Sequence, residues 1–230
     1  NVDMSGIDLT GTILTNTDLT DAKLAEVDLS GMDLTGTILK NVDMSGMDLT
    51  GTILADTDLT DSILPDAVLS GNNFVNTIFN GVDFSGKDLS RSYFQYASFD
   101  NANLENTNLS NAQFIQVDFT KIKNKNLAAA DLSNTSLAHS DLSDVSLDDV
   151  SIIQTNFWKT DLSGQDFTVI SNKSSLGSKF FESNLSNANF EGVDLSPQEI
   201  ISTEVFKNKA SLINLSDADL IANLYGKADN

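Results

Sequence analysis

The apolar residues of this chain repeat with a period of five, and that period limits what the chain can fold into. Every fifth position from Met4 to Phe119 is apolar, giving 24 centres that comprise 15 Leu, 7 Phe and 2 Met. On an α-helix, five residues advance a side chain by roughly 140° around the axis, so the centres would spread over the whole surface. In a straight strand, an odd spacing would send successive centres to opposite faces. Neither element gathers these residues into one core.

A chain that turns a corner about every five residues satisfies the pattern. Two residues before each centre lies a second inward position, which is Val, Thr, Ala or Ser in 19 of the 24 units. Each short extended segment can then direct its centre and its small residue towards a common axis, while neighbouring coils hydrogen-bond like parallel strands. The sequence therefore predicts an all-β solenoid, and its continuous apolar interior argues against a disordered chain.

The repeated unit resembles that of the pentapeptide-repeat family, A-(D/N)-L-x-x. Units such as VDMSG, IDLTG, TDLTD and ANLEN follow it, and the match extends over nearly the whole chain. The resemblance implies a right-handed quadrilateral parallel β-helix with four pentapeptides, or about 20 residues, per coil. The number of sides rests on the resemblance alone, because near-copies of one segment begin at positions 2, 27 and 42, which are separated only by multiples of five.

Two interruptions divide the repeat. The segment TKIKNKN, at 120–126, places Leu127 eight residues after Phe119, and the segment TVISNKSSLGSK, at 168–179, is rich in Ser, Gly and Lys. We expect one solenoid over 1–230, made of the blocks 1–119, 127–167 and 178–195, the loops 120–126 and 168–179, and a C-terminal cap at 196–230. Because the chain begins in mid-repeat, we also expect it to be a processed product or a fragment of a longer repeat protein.

The cap at 196–230 is expected to be small and helical. Ser196, Pro197 and Glu199 have the order of capping residue, first-turn proline and third-position glutamate that is typical of a helix start. They predict a short helix at about 197–206, which would close one end of the apolar core. Continued coil is the alternative, because four apolar residues keep the fivefold spacing: Ile200, Val205, Leu215 and Leu220.

The composition limits the function classes. The chain holds 33 Asp and Glu against 13 Lys and Arg, giving a formal net charge of -20 and a pI near 4.1. Such acidity argues against direct binding of nucleic acid or of an anionic membrane surface, and it favours an unidentified protein partner with a basic surface. No apolar run approaches the roughly 18 residues of a membrane helix. The absence of cysteine and of a signal segment leaves the localisation open.

The residue inventory argues against catalysis. The chain has one histidine, His139, and no cysteine, so a nucleophile and a general base have almost nothing to be built from. We expect no enzymatic activity, no cofactor and no metal site. The expected function is a non-enzymatic structural scaffold or protein-interaction module.

The position before each centre is usually Asp, and these residues form the first candidate surface. With four pentapeptides per coil, Asp8, Asp28, Asp48 and Asp88 would stand in one column, with neighbouring coils about 4.8 Å apart. One interpretation is that each Asp hydrogen-bonds the local backbone at a corner, as Asp and Asn do in turns. The functional interpretations are a ladder for cations or an imitation of a nucleic-acid duplex.

The duplex interpretation follows from the resemblance, because some pentapeptide-repeat proteins resemble B-DNA and bind type II topoisomerases. It implies an alternative function, an acidic DNA mimic that inhibits such an enzyme. Residues 1–70 hold 12 Asp, 1 Glu and 2 Lys, a net charge of -11, or one charge per roughly 1.5 Å over about 3.5 coils. B-DNA carries one per about 1.7 Å. The whole chain carries only one per roughly 2.7 Å, so only its N-terminal third approaches duplex density.

A row of outward apolar residues forms the second candidate surface. Ile13, Ile53, Tyr93 and Tyr96 would lie on one side of the rod, together with Val75 and Ile115. Exposed apolar residues in a column can form a docking strip. We therefore expect this side to contact a protein partner, and we expect any self-association to use this strip or the ends of the rod.

Overall fold

The chain forms a parallel β-helix that completes one coil per four pentapeptides. The computed structural model describes residues 2–65, 69–173, 178, 180 and 183–193. Single-residue parallel bridges join the position before a centre to its equivalent 20 residues later, as in Asp3–Lys23 and Asp18–Ile38. The coil is therefore four-sided. We name its sides first to fourth after the columns that contain Met4, Leu9, Leu14 and Leu19, and we define coils 1, 2 and 3 as residues 2–21, 22–41 and 42–61.

Regular elements longer than a bridge are rare in this architecture. Within the described residues there is no α-helix, and the two helical segments there are 3-10 turns at Lys123–Lys125 and Phe167–Val169. The predicted helical cap at 196–230, including the helix at 197–206, lies outside the described residues. The division of the chain into three blocks stays a prediction.

Each corner is a tight turn that begins at a centre. The carbonyl of Leu9 accepts the N–H of Thr12 at 2.9 Å, and the intervening Gly11 has φ +75°. A positive φ at the third residue is the hallmark of a type II turn. Non-glycine residues occupy the same corner position, as Asn16 and Asp21 do with φ of 57° and 54°. Gly46 is an exception, because its φ lies outside the positive range.

The centres fill the interior of the coil. From Leu9 to Phe119 every described centre is buried, as the fivefold pattern predicts. The middle of the rod contains stacked phenylalanines: the ring centroid of Phe94 lies 5.1 Å from that of Phe74 and 4.6 Å from that of Phe114. Such stacking adds to the stabilisation that comes from burial.

The inward hydroxyls join successive coils. Thr37, Thr57 and Thr77 are buried, and the Oγ1 of each donates to the carbonyl of a centre in the preceding coil, at 2.7, 3.0 and 2.7 Å. These bonds satisfy polar groups that would be costly to bury without partners. The small inward position is therefore a site of hydrogen bonding as well as of packing.

The interruption at 120–126 adds three residues to one coil without ending the solenoid. Bridges here span 23 residues, as in Asn108–Asp131, and return to 20 with Asn126–Ser146. The N–H of Lys123 donates to the carbonyl of Ala102 at 2.9 Å, and Ile122 is buried in the core. The corner after the fourth side is an ordinary turn from Phe119 to Ile122, and the extra residues form a bulge between Ile122 and Asn126, at the start of the first side.

Candidate interaction surface

The outward aspartates of the predicted column are held in local turns of the backbone. Oδ1 of Asp8, Asp28 and Asp48 accepts the backbone N–H two residues later at 2.9, 2.9 and 2.8 Å, and Oδ1 of Asp88 accepts that of Ser90 at 3.0 Å. Such Asx turns are a local property of Asp and Asn. They hold each carboxylate in place on the surface of the rod.

These hydrogen bonds also favour the ionised form. The hydroxyl and backbone N–H of Thr10 lower the pKa of Asp8, and those of Thr50 lower the pKa of Asp48. The backbone N–H and hydroxyl of Ser30 lower the pKa of Asp28, although the charges of Asp48 and Asp8 act in the opposite direction. The carboxylates are therefore charged at neutral pH in spite of their mutual repulsion.

Three of the four predicted residues stand in consecutive coils. Asp8, Asp28 and Asp48 occupy the second side of coils 1, 2 and 3, and within this part of the chain no bridge joins Asp8 to Asp28 or Asp28 to Asp48. Like charges repel at this spacing, which opposes close pairing. Asp88 lies two coils beyond Asp48, where it is bridged to Asn108, whose Nδ2 donates to its Oδ1 at 3.0 Å.

The fourth side shows how closely the coils pair when the charges are separated. Its bridged column alternates carboxylates with isoleucines, in the order Asp18, Ile38, Asp58 and Ile78. Lys40 Nζ lies 2.9 Å from Asp58 Oδ2 and neutralises one of the two charges locally. The N-terminal rod is therefore tightly paired on its fourth side and unbridged at the Asp column of its second side.

The apolar strip is interrupted by polar residues. Ile13, Ile53 and Tyr93 occupy one column of the third side, but Asp33 lies between the first two and is bridged to Ile53. Ile13 is 84% exposed and Ile53 47%, whereas Tyr93 is half-buried and its hydroxyl donates to Gln95 at 2.7 Å. Tyr96 is 51% exposed at the corner after this side. The structure places the four residues along one side and its corner, without forming a continuous apolar patch from them.

An opening that the repeat pattern does not predict lies between coils 2 and 3. On the first side, the backbone N–H groups of Leu24, Glu26 and Asp43 donate to no acceptor in the described chain. The opening has a volume of about 570 Å³. The repeat pattern could not reveal it, because the copies of VDMSG at 2–6 and 42–46 are both bridged to the coil that follows them, as Asp3–Lys23 and Asp43–Ile63, and nothing in the repeat distinguishes the unbridged Lys23–Asp43 position.

The described residues contain no group of three or more His, Cys, Asp and Glu side chains that could hold a metal ion. In the same part of the chain, no helix is long and apolar enough to cross a membrane. His139 packs against Trp158, with ring centroids 4.9 Å apart. The features that distinguish the described surface are therefore its carboxylates and its open seam.

Comparisons with known proteins agree with the repeat. A family model described as pentapeptide repeats matches in 8 copies, at residues 3–41, 17–54, 33–64, 52–86, 88–123, 126–164 and 171–196. No curated protein sequence matches the chain.

The solved structures that the chain matches include that of HetL, a pentapeptide repeat protein involved in heterocyst differentiation regulation in the cyanobacterium Nostoc sp. strain PCC 7120. It is 24% identical over 86% of this chain and 87% of that one, with a TM-score of 0.34. QnrB1, a plasmid-mediated fluoroquinolone resistance protein, is 18% identical over 90% and 94%, with a TM-score of 0.40. A pentapeptide repeat protein of the Arabidopsis thaliana thylakoid lumen is 27% identical over 54% and 66%, with a TM-score of 0.18.

Proposed function

The chain belongs to the pentapeptide-repeat family, and from this premise we propose that it is a non-enzymatic scaffold. Its acidic N-terminal half binds the basic side chains of a protein partner. The observation that carries the proposal is the set of outward aspartates held by Asx turns, such as Asp8, Asp28 and Asp48. The family supports a right-handed coil, and the helix-start residues of the sequence are our basis for proposing one solenoid over 1–230 that ends in a helical cap at 196–230.

Charge and order together favour a basic protein partner. Residues 2–65 hold 11 Asp, 1 Glu and 2 Lys, a net charge of -10. Because the carboxylates are already fixed by the turns, binding a cation costs them little conformational entropy. A field of one sign over several coils also steers an oppositely charged partner towards the rod, most strongly at low ionic strength.

The test compares two triple variants that remove equal charge. Asp8→Asn, Asp28→Asn and Asp48→Asn together keep the turn acceptor but remove three charges from the N-terminal column. The matched control carries Asp131→Asn, Asp141→Asn and Asp161→Asn, where each Oδ1 accepts the same type of backbone bond at 2.9 Å. A lysine-rich 20-residue peptide serves as the probe, and its affinity is measured by fluorescence anisotropy at low and high salt.

We expect the N-terminal triple variant to weaken peptide binding at least fivefold more than the control. We also expect the affinity to fall steeply with salt, because contacts between exposed charges are screened over about 8 Å at physiological ionic strength. Equal losses in the two variants would show that only net charge matters, and they would refute the assignment to the N-terminal half.

The alternative function is imitation of a DNA duplex. Its support is the charge density of residues 2–65, whose net charge of -10 corresponds to one charge per roughly 1.5 Å of axis, close to the value for B-DNA. A gyrase supercoiling assay separates the two proposals. Inhibition at micromolar protein that is lost in the N-terminal triple variant would support the mimic, and no inhibition would exclude it.

A further inference from the structure

We propose that the opening between coils 2 and 3 accepts an extended basic peptide as an added strand. The inference deepens the proposed function and rests on it, because it gives the basic partner a defined backbone conformation and a defined place on the first side of the rod. Three features of the opening carry it: unpaired backbone groups, an apolar floor and an acidic rim.

The backbone at this seam is unpaired over a full side of the coil. Between coils 1 and 2, the same side is closed by bonds from Met4 N to Lys23 O at 2.9 Å and from Lys23 N to Val2 O at 2.8 Å. Between coils 2 and 3 the equivalent hydrogen bonds are missing, since the N–H groups of Leu24, Glu26 and Asp43 find no acceptor in the described chain. Gly46, at the corner beyond Asp43, also departs from the usual positive φ.

The same two coils are paired on the adjacent fourth side. There they are joined by bonds from Leu39 N to Asp58 O at 2.7 Å and from Asp58 N to Thr37 O at 3.0 Å. Coils 2 and 3 are therefore joined on the fourth side, while they are unbridged on the first side and at the Asp28–Asp48 position of the second side. A site of this kind is preformed and needs no unfolding to admit a ligand.

An extended polypeptide is the ligand whose chemistry matches unpaired backbone edges. Free N–H and C=O groups along a sheet edge are a template for another strand, and main-chain hydrogen bonds then supply affinity. The cavity volume of about 570 Å³ lies within the range of roughly 300–1,000 Å³ for ligand pockets. Because side chains of a strand alternate, such a peptide presents one set to the floor and the other to solvent.

The lining selects the side chains of that peptide. Ala22, Leu24 and Met47 are buried and form an apolar floor, which suits small or β-branched residues. Asp21, Glu26 and Asp43 line the same opening together with Lys23, whose ammonium lies 3.6 Å from Asp3 Oδ2 in the preceding coil and is partly neutralised by it. An alternation of valine and lysine therefore satisfies both the floor and the rim.

A second opening on the first side does not fit the same ligand. It lies between Ile63 and Asp83, with a volume of about 470 Å³, and Lys87 is part of its lining. Lys87 Nζ donates to the carbonyl of Pro65 at 3.3 Å, so this opening already contains a cation. Two carboxylates, Asp61 and Asp83, accompany that cation, whereas three accompany Lys23 in the opening between coils 2 and 3, so we place the basic peptide at the more acidic opening.

The test closes the seam with a disulfide. The chain has no cysteine, so Lys23→Cys with Asp43→Cys introduces one defined pair across the opening, at equivalent positions of adjacent coils. The matched control is Asp43→Cys with Ile63→Cys, positions that are already bridged. The probe is the acetylated, amidated octapeptide (Val-Lys)4, and its affinity is measured for the oxidised and reduced forms of each variant.

We expect oxidation of the 23/43 pair to weaken peptide binding at least tenfold, reduction to restore it, and oxidation of the 43/63 pair to change it less than twofold. A second probe, the same octapeptide with N-methylvaline at each valine, keeps the charges but loses half of the backbone donors, and we expect it to bind at least tenfold more weakly. Equal binding of the two peptides would refute strand addition and leave the proposed basic partner standing. If neither peptide binds, the proposed function is refuted as well.

Discussion

Replacement of Thr57 measures how much the inward hydroxyls contribute to joining the coils. Thr57 is 0% exposed, and its Oγ1 donates to the carbonyl of Leu34, one coil earlier, at 3.0 Å. That carbonyl also accepts the backbone N–H of Thr37 at 2.9 Å. Loss of the hydroxyl therefore removes one hydrogen bond without leaving the buried acceptor unsatisfied.

The expected changes in the free energy of unfolding depend on the second hydrogen bond that the Leu34 carbonyl accepts. In Thr57→Val, loss of a hydrogen bond costs about 1 kcal/mol, and burial of the added methyl returns about 0.8 kcal/mol. The net change in the free energy of unfolding should stay below about 1 kcal/mol. Thr57→Ala loses both the hydrogen bond and the methyl group and leaves a small cavity, so it should cost about 2 kcal/mol.

Urea unfolding followed by circular dichroism gives both values. Thr50→Ala is the surface control, because Thr50 is exposed and should change stability by less than about 0.5 kcal/mol. If Thr57→Val costs as much as Thr57→Ala or more, the Leu34 carbonyl depends on the hydroxyl and the reasoning from its second bond is wrong.

Three further outcomes are expected in the same urea assay. Leu49→Asp buries a charge among the centres and should abolish cooperative folding. Asp48→Ser should leave the urea midpoint near its original value. Equal effects of the two substitutions would contradict the assignment of Leu49 as inward and Asp48 as outward. Phe94→Ala should cost about 3–5 kcal/mol and Phe94→Leu clearly less, and similar costs would exclude ring stacking as the cause. The pKa of Asp8 is lowered below 3.8 by Thr10, as are those of other turn aspartates, so their stabilisation is present above pH 3.8 and lost as the pH falls through the folded-state values. The urea concentration at the unfolding midpoint should therefore decrease when the pH is lowered below 3.8. An increase would mean that relief of carboxylate repulsion dominates.

The sequence predicted the interior well because the same physical constraint recurs every five residues. A Leu at a centre must be inward in every unit, so Leu29 and Leu49 needed no tertiary information. The four sides became visible only through pairing between coils, as in Asp3–Lys23, which a period of five does not specify. The structure has a bulge within 120–126, and the burial of Ile122 in this segment was not foreseen.

The candidate site was less predictable, because it depends on the relation between neighbouring coils. The Asp column followed from position alone, and its turns followed from the chemistry of Asp. The open seam did not, since both copies of VDMSG, at 2–6 and 42–46, are bridged to the coil that follows them, and the repeat does not distinguish the unbridged Lys23–Asp43 position between them. The polar residues that interrupt the apolar strip, such as Asp33, could have been read from the 20-residue spacing once the number of sides was fixed.

The coil that carries the bulge at 120–126 has a practical consequence for engineering. Three additional residues are accommodated at the start of the first side, after which Asn126 pairs with Ser146 at the ordinary spacing of 20. Because downstream coils keep their phase, the start of the first side is a natural position for grafting foreign epitopes or affinity tags. Grafts at the equivalent position of other coils would project from the same side of the rod at intervals set by the coil rise, about 4.8 Å, so the rod could display several epitopes at graded distances.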